Sequence, residues 1–292
     1  MSIFQAILLG ILQGLTEFLP VSSSGHLAII KNLLHINLDS GMLYDVLLHV
    51  ATLIAICIVF FKDVVKLIVE FFLIIIDIFK NIGIFFGNLF GRRDEAYIQI
   101  THNSYRKFVV LIIVSTIPTG VIGYLMQDIA ESAGAGMMVP GICLMISGGI
   151  LLIADRTEKG RKKPKETTYL DAFTIGMCQG VAVLPGITRS GTSVTACLLL
   201  GLERKFAVKY SMIMSIPAIL GALILQLKDI GDVSFAAGEI AGYIIGMIVA
   251  AAVGFVCIKI MIAIVQSRKF KPFAFYCLII GALSVIGALI TM

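Results

Sequence analysis

Gln13 and Glu17 are four residues apart in an apolar stretch, so on a helix they share one face. A carboxylate in such a stretch is expensive and functional by default, unless a buried partner such as Arg189 or His26 neutralises it. Pro20 ends that helix, and Ser22-Ser23-Ser24 starts another. One serine can serve as an N-cap, but three hydroxyls exceed what a cap needs. His26 falls in the first turn of the new helix, beside the serine run. Arg189 sits in a second break, Pro185-Gly186-Ile187-Thr188-Arg189-Ser190-Gly191-Thr192-Ser193, rich in glycine and hydroxyls. Its permanently charged planar fork suits phosphate oxygens. Thr188, Ser190, Thr192 and Ser193 supply hydroxyls or caps there, as Ser22 and Ser24 do in the first break. Gly191 is counted with them as phosphate-binding. The free amides of two half-helices also favour an anion. Together these groups read as one phosphate-handling site.

A carboxylate with Gln or Ser oxygens suits Mg²⁺ or Ca²⁺, with substrate phosphates completing the shell. Glu17 and Gln13 are the expected ligands. Neither a Cys/His cluster for zinc nor a Walker-A sequence occurs, so nucleotide use has no support. Ser23 or His26 is the expected nucleophile, the other assisting proton transfer. The preferred arrangement is Ser23 attacking with His26 as its base. His35, His49 and His102 lack such company, although His49 starts a span and is a candidate for outer support.

The surroundings are those of a membrane. Of 292 residues, 59% are hydrophobic and 14% charged. A soluble domain carries roughly 25% charged residues. The net charge of +5 could suggest nucleic acid, but the basic residues sit in short loops between apolar stretches. No nucleic-acid partner is therefore expected. The six cysteines lie in apolar segments, without metal-ligand spacing, and read as small core residues. The opening MSIFQAILLG lacks a basic n-region, so a cleaved signal peptide is not expected.

Six apolar stretches, 44–61, 108–127, 137–154, 206–227, 238–264 and 273–291, are long enough to span a bilayer. Two more, 1–34 and 170–203, are broken in the middle, and each half is too short to cross alone. Each reads as a re-entrant helix hairpin that enters and leaves on one side. In 62–90, Lys62, Asp63, Lys66, Glu70, Asp77 and Lys80 form a polar stripe at helical spacing, which predicts an interfacial helix over a seventh span. The loops test this count. Arg92, Arg93, Arg106 and Lys107 precede the second span, and Arg156, Lys159, Arg161, Lys162, Lys163 and Lys165 follow the third. Arg204, Lys205 and Lys209 form a third basic group, and Arg268, Lys269 and Lys271 a fourth. The remaining loops carry Asp128, Glu131, Asp229, Asp232 and Glu239 with a single Lys228. If neither 62–90 nor the hairpins cross, every basic loop is cytoplasmic and both termini lie outside.

The two broken segments match. Gln-Gly, Leu-Pro and Ser-Gly recur in order, and Gln13 to Ser24 spans the same interval as Gln179 to Ser190. Residues 1–155 form a first repeat of hairpin, three spans and the amphipathic insertion 62–90. A basic cytoplasmic linker, 156–169, joins it to a second repeat, 170–292. Three spans are odd, so the second repeat is inverted and the two hairpin tips meet near the midplane. A further likeness, Arg106-Lys107-Phe108 to Pro118 and Arg204-Lys205-Phe206 to Pro217, is out of this register. It reads as similar cytoplasmic starts of two spans. The predicted fold is therefore an all-α integral membrane protein, with six transmembrane helices and two re-entrant hairpins in an inverted-topology repeat.

At these motifs the chain resembles the bacterial undecaprenyl-pyrophosphate phosphatase family of the bacitracin-resistance type. That family has an acid-or-Gln–x–x–x–Glu motif, here Gln13-Gly14-Leu15-Thr16-Glu17, and a Pro-Gly-x-Ser-Arg-Ser-x-x-Thr motif, here Pro185 to Ser193. The resemblance extends over nearly the whole chain, including 44–52 and 169–180. Gln13 stands where many members have Glu, Thr188 replaces Ser, and Ser193 replaces Thr. Oxygen ligands and hydroxyls survive, but one acid is lost. The resemblance implies hydrolysis of undecaprenyl pyrophosphate to the monophosphate, recycling the cell-wall lipid carrier and conferring bacitracin resistance. It further implies a divalent metal and a site on the outer face of the bacterial inner membrane, and it is compatible with a homodimer. The competing reading is a transporter or flippase of the prenyl phosphate carrier, which an inverted repeat fits equally well.

Overall fold

The computed structural model describes residues 3–33, 38–91, 95–229 and 237–291. His35, Arg92, Arg93 and Asp232 lie outside the described residues, as do the side chains of Lys228, Asp229 and Glu239. The chain is all-helical, as predicted. Its helices are α1 (Ile3–Phe18), α2 (Ser23–Leu33), α3 (Leu38–Val59), α4 (Phe61–Leu89), α5 (Ser104–Leu125) and α6 (Gln127–Gly134). They continue as α7 (Met138–Arg156), α8 (Tyr169–Val181), α9 (Arg189–Leu199), α10 (Arg204–Asp229), α11 (Ala237–Ser267) and α12 (Lys271–Thr291).

Helices are forced by the solvent. In hydrocarbon every backbone amide needs an internal partner, and a helix provides one within a single segment. Among the described residues, α5, α7, α10, α11 and α12 are each long and apolar enough to cross a membrane, and α3 with α4 is a sixth candidate. Their outward faces are as apolar as the core: Ile117, Ile224, Ile248 and Leu289 are exposed, while Leu111, Tyr210 and Phe270 are buried. A surface apolar on the outside is the mark of a multi-pass membrane protein.

The pairing of helices is reciprocal. α1 packs on α11, α8 on α5, and α7 on α12. The likeness between the starts of α5 and α10 has a packing reason. Phe108 and Phe206 meet edge-on, with centroids 5.2 Å apart, and both rings contact Tyr210.

α4 leaves α3 at a bend of 91°. Its polar stripe exists, but its acids face the protein. Glu70 and Asp77 both bind Arg106 of α5, at 3.0 and 2.5 Å. Asp63 accepts from Lys209 of α10 at 2.8 Å and from Tyr105 at 3.0 Å. Phe61, Ile68, Phe72, Phe79 and Phe86 are left exposed.

The basic segments gather at one end. Arg204 donates to Val265 O and Thr157 O, tying the last turns of α11 and α7. Asp155 caps α12 through the Phe270 amide at 3.1 Å. Lys162 pairs with Asp171 at the start of α8 and bridges to Leu202 beyond α9. Both ends of the α8–α9 pair therefore lie at this basic end.

Candidate functional site

The two helix breaks meet. Pro20 and Pro185 stand inside them, each without an amide hydrogen to continue a helix. In the first, Ser22 takes φ +68°, sparsely populated by residues other than glycine. Its hydroxyl accepts from the Gly25 amide at 3.3 Å, and Thr188 accepts from the Gly191 amide at 3.2 Å. Ser22 Oγ lies 3.4 Å from Ser24 Oγ, and Thr188 Oγ1 lies 3.3 Å from Ser190 Oγ. The tips thus share one construction, with a cap, a hydroxyl two residues on and a glycine amide three on.

They also touch. Ser22 Oγ donates to Ile187 O at 3.4 Å. A Cβ on Gly25 would lie 2.8 Å from Gly186 Cα, so glycine permits the approach. Gly186 itself has φ +100°, a conformation that side chains with a Cβ rarely adopt. Ser147 of α7 fastens the second tip, donating to Gly186 O at 2.8 Å and accepting from the Thr188 amide at 2.9 Å.

Glu17 is the centre of the polar network, its side chain 6% exposed. Its Oε2 accepts from Ser23 Oγ at 2.6 Å and from Gln13 Nε2 at 3.1 Å. Arg189 Nη2 lies 3.8 Å from Oε1. His49 of α3 is within electrostatic range of the same carboxylate. The fold therefore brings Gln13, Glu17, Ser23 and Arg189 together from two breaks far apart in sequence. Ser190 and Ser193 line a cavity with Glu17 and Arg189. That cavity is about 10 Å³, close to the least that admits one water.

The other expected residues divide by use. Ser22 and Thr188 are caps, and the Gly191 amide is taken by Thr188. Ser193 Oγ donates to Arg189 O at 2.8 Å and shares a hydrogen with Ser211 Oγ at 2.6 Å. Thr192 Oγ1 is buried without a partner among the described residues, and Ser24 is exposed.

The expected Ser23–His26 pair is not formed. His26 Nδ1 donates to Ser22 O at 2.8 Å, and its Nε2 shares a hydrogen bond with Tyr276 OH at 2.9 Å. The two rings stack at 5.6 Å, with 5° between their planes. Both ring nitrogens are occupied, because the first turn of α2 carries the ring back over its own cap and away from Ser23. The group positioned to take the Ser23 proton is Glu17.

Sequence reasoning used Gln179 only to mark the matching segments, and passed over Ser211, Ser215 and Tyr276. The first three line the cavity. Ser211 and Ser215 were legible as hydroxyls four apart on one face of an apolar span. Tyr276 gave no signal, being one aromatic residue at the start of a span.

A hard cation finds only part of a shell. Gln13 Oε1 is buried without a partner among the described residues, and Glu17 Oε1 has the long contact with Arg189. These oxygens fit Mg²⁺ or Ca²⁺ when phosphate oxygens complete the coordination. Among the described residues, no three His, Cys, Asp or Glu gather into a metal cluster.

Residues 6–283 match the family described as "Bacitracin resistance protein BacA". The chain belongs to the BacA family. It is 39% identical to an undecaprenyl-diphosphatase of Methanosphaera stadtmanae, over 98% of both chains. It is 36% identical to an undecaprenyl-diphosphatase of Alkaliphilus metalliredigens, over 99% of this chain and all of that one. One from Treponema denticola is 39% identical over 96% of both chains. The BacA likeness and the geometry coincide, because the two motifs behind the resemblance are the two tips joined at Glu17.

Proposed function

We propose that this BacA-family chain hydrolyses undecaprenyl pyrophosphate to undecaprenyl phosphate and inorganic phosphate, recycling the cell-wall lipid carrier. The observation that carries this reading is the Ser23 hydroxyl held 2.6 Å from the Glu17 carboxylate, with Arg189 on the same carboxylate. A buried carboxylate that accepts a serine proton is an activated-nucleophile arrangement. A flippase has no need of one.

The steps follow from these groups. Substrate entry parts Arg189 from Glu17, since the cavity is smaller than a pyrophosphate, and the guanidinium passes to phosphoryl oxygens. Ser23 Oγ attacks the terminal phosphorus while its proton moves to Glu17 Oε2. The bridging P–O bond breaks, and the prenyl monophosphate leaves with the bridging oxygen. Water then hydrolyses the phosphoserine, releasing inorganic phosphate and returning the proton to Ser23. Arg189 and the amides of α2 and α9 neutralise charge, which usually supplies most of the acceleration in phosphoryl transfer. Gln13 and Glu17 would hold a divalent cation, which would supply further charge neutralisation on the phosphate oxygens. His26 positions the first tip through Ser22.

The reciprocal helix pairing and the like construction of the tips support an inverted repeat, with α1–α2 and α8–α9 as re-entrant hairpins. The second tip reaches away from the basic end, which the positive-inside rule assigns to the cytoplasm. The site then faces the outer side of the inner membrane. Phosphate release from a prenyl pyrophosphate by purified protein, with and without chelator, tests the reading. Release should fall by at least about a hundredfold in Glu17→Ala and in Arg189→Ala. Near-normal release by both variants would sink it, and a rate indifferent to chelator would remove the cation.

A further inference from the structure

Gln179 stands before the second break where Gln13 stands before the first. Gln13 commits its amide nitrogen to Glu17, four residues on. Four residues on from Gln179 is Val183, which offers nothing to an amide. Gln179 is 3% exposed, and neither Nε2 nor Oε1 has a protein partner among the described residues. It lines the cavity that Glu17, Arg189 and Ser190 line.

An amide buried with both ends unpaired is costly, and leucine or methionine would fill this volume without that cost. An amide suits a ligand that offers an oxygen to donate to and a hydroxyl to accept from. A phosphoryl group has both. Arg189 brings the charge, and a neutral amide adds direction without a second cation competing for Glu17.

We infer that Gln179 is a further substrate-binding residue, its amide donating to a phosphoryl oxygen of the pyrophosphate. This deepens the phosphatase reading and rests on it. The two hairpins have then divided one inherited position. Gln13 orients the carboxylate, and Gln179 holds the phosphoryl group.

The test uses purified full-length protein with Gln179→Leu and Gln179→Met, the second covering failure of the first to fold. Two quantities are measured: kcat/KM for prenyl pyrophosphate, and the rise in Tm that orthovanadate produces. Both variants should keep or raise the Tm of the free protein, because an unpaired buried amide is gone. Their kcat/KM should fall by about tenfold or more, and the vanadate shift should shrink. Wild-type kcat/KM with an undiminished vanadate shift in either variant overturns the inference. A lowered Tm with the vanadate shift intact also overturns it, marking Gln179 as packing. Wild-type protein that binds vanadate but releases no phosphate would instead overturn the phosphatase reading, while the vanadate comparison would still decide Gln179.

Discussion

Charges and hydroxyls inside apolar sequence carry the argument for this site, because they have few bland explanations. Glu17 and Arg189 could be read as a pair, and they are one, at 3.8 Å. What the sequence could not supply was direction. Ser23 and His26 are three residues apart at the start of one helix, close enough in sequence to suggest a nucleophile and its base. The rotamer of His26 is decided by Ser22 O behind it and by Tyr276, which comes from the far end of the chain. Ser23 donates its hydrogen bond instead to Glu17, one helix earlier. This distinction can be measured. Rapid quenching of single turnovers should trap an acid-stable phosphoserine at Ser23, and Ser23→Ala should abolish both trapping and turnover. His26→Ala should still form the phosphoserine, about tenfold more slowly, because it loosens Ser22 without removing the proton acceptor. An acid-labile phosphohistidine at His26 would reverse the two roles.

At the scale of elements, the breaks and spans followed from proline, glycine and length. The orientation of α4 did not. Its stripe of charges reads as a water-facing side, yet Glu70 and Asp77 are turned inward onto Arg106. Periodicity fixes which residues share a face, while the face's partner depends on another helix. Arg106 and Arg204, read as loop charges, prove to be buried ties between helices. The matching of the two broken segments led to the expectation that they meet, but the tightness of their contact was not legible. Gly25 lies against Gly186 so closely that one methyl group must separate them. Gly25→Ala should therefore push Ser22 off Ile187 O and move Ser23 relative to Arg189. Turnover should drop by about tenfold or more, since small misplacements of reacting groups are costly. Tm should fall as well, through overpacking. Unchanged turnover in Gly25→Ala would mean that the tips need not stay closed.

For the whole molecule, sidedness joins the charge pattern to the chemistry. α5 starts at the basic end and runs about 33 Å at 1.5 Å per residue, enough to cross the hydrocarbon core. α6 follows it at the other end, and a Cβ on Gly134 of α6 would lie 3.8 Å from Pro185 of the second tip. The tips are thus nearer the end that carries Asp128 and Glu131 than the end that carries Lys159 and Arg268. The right-angle turn into α4 predicts that α4 stays at the basic surface. Lys80, with 60% of its side chain exposed, reports on this directly. Single cysteines at Lys80, Lys159, Arg268 and Glu131 can be labelled with a membrane-impermeant thiol reagent, after replacement of the six native cysteines. Positions 80, 159 and 268 should react only in inverted vesicles, and 131 only in intact cells. Reaction at 80 from the outside would make α4 a seventh span, divide the basic loops between two sides and remove the charge argument for an outward-facing site.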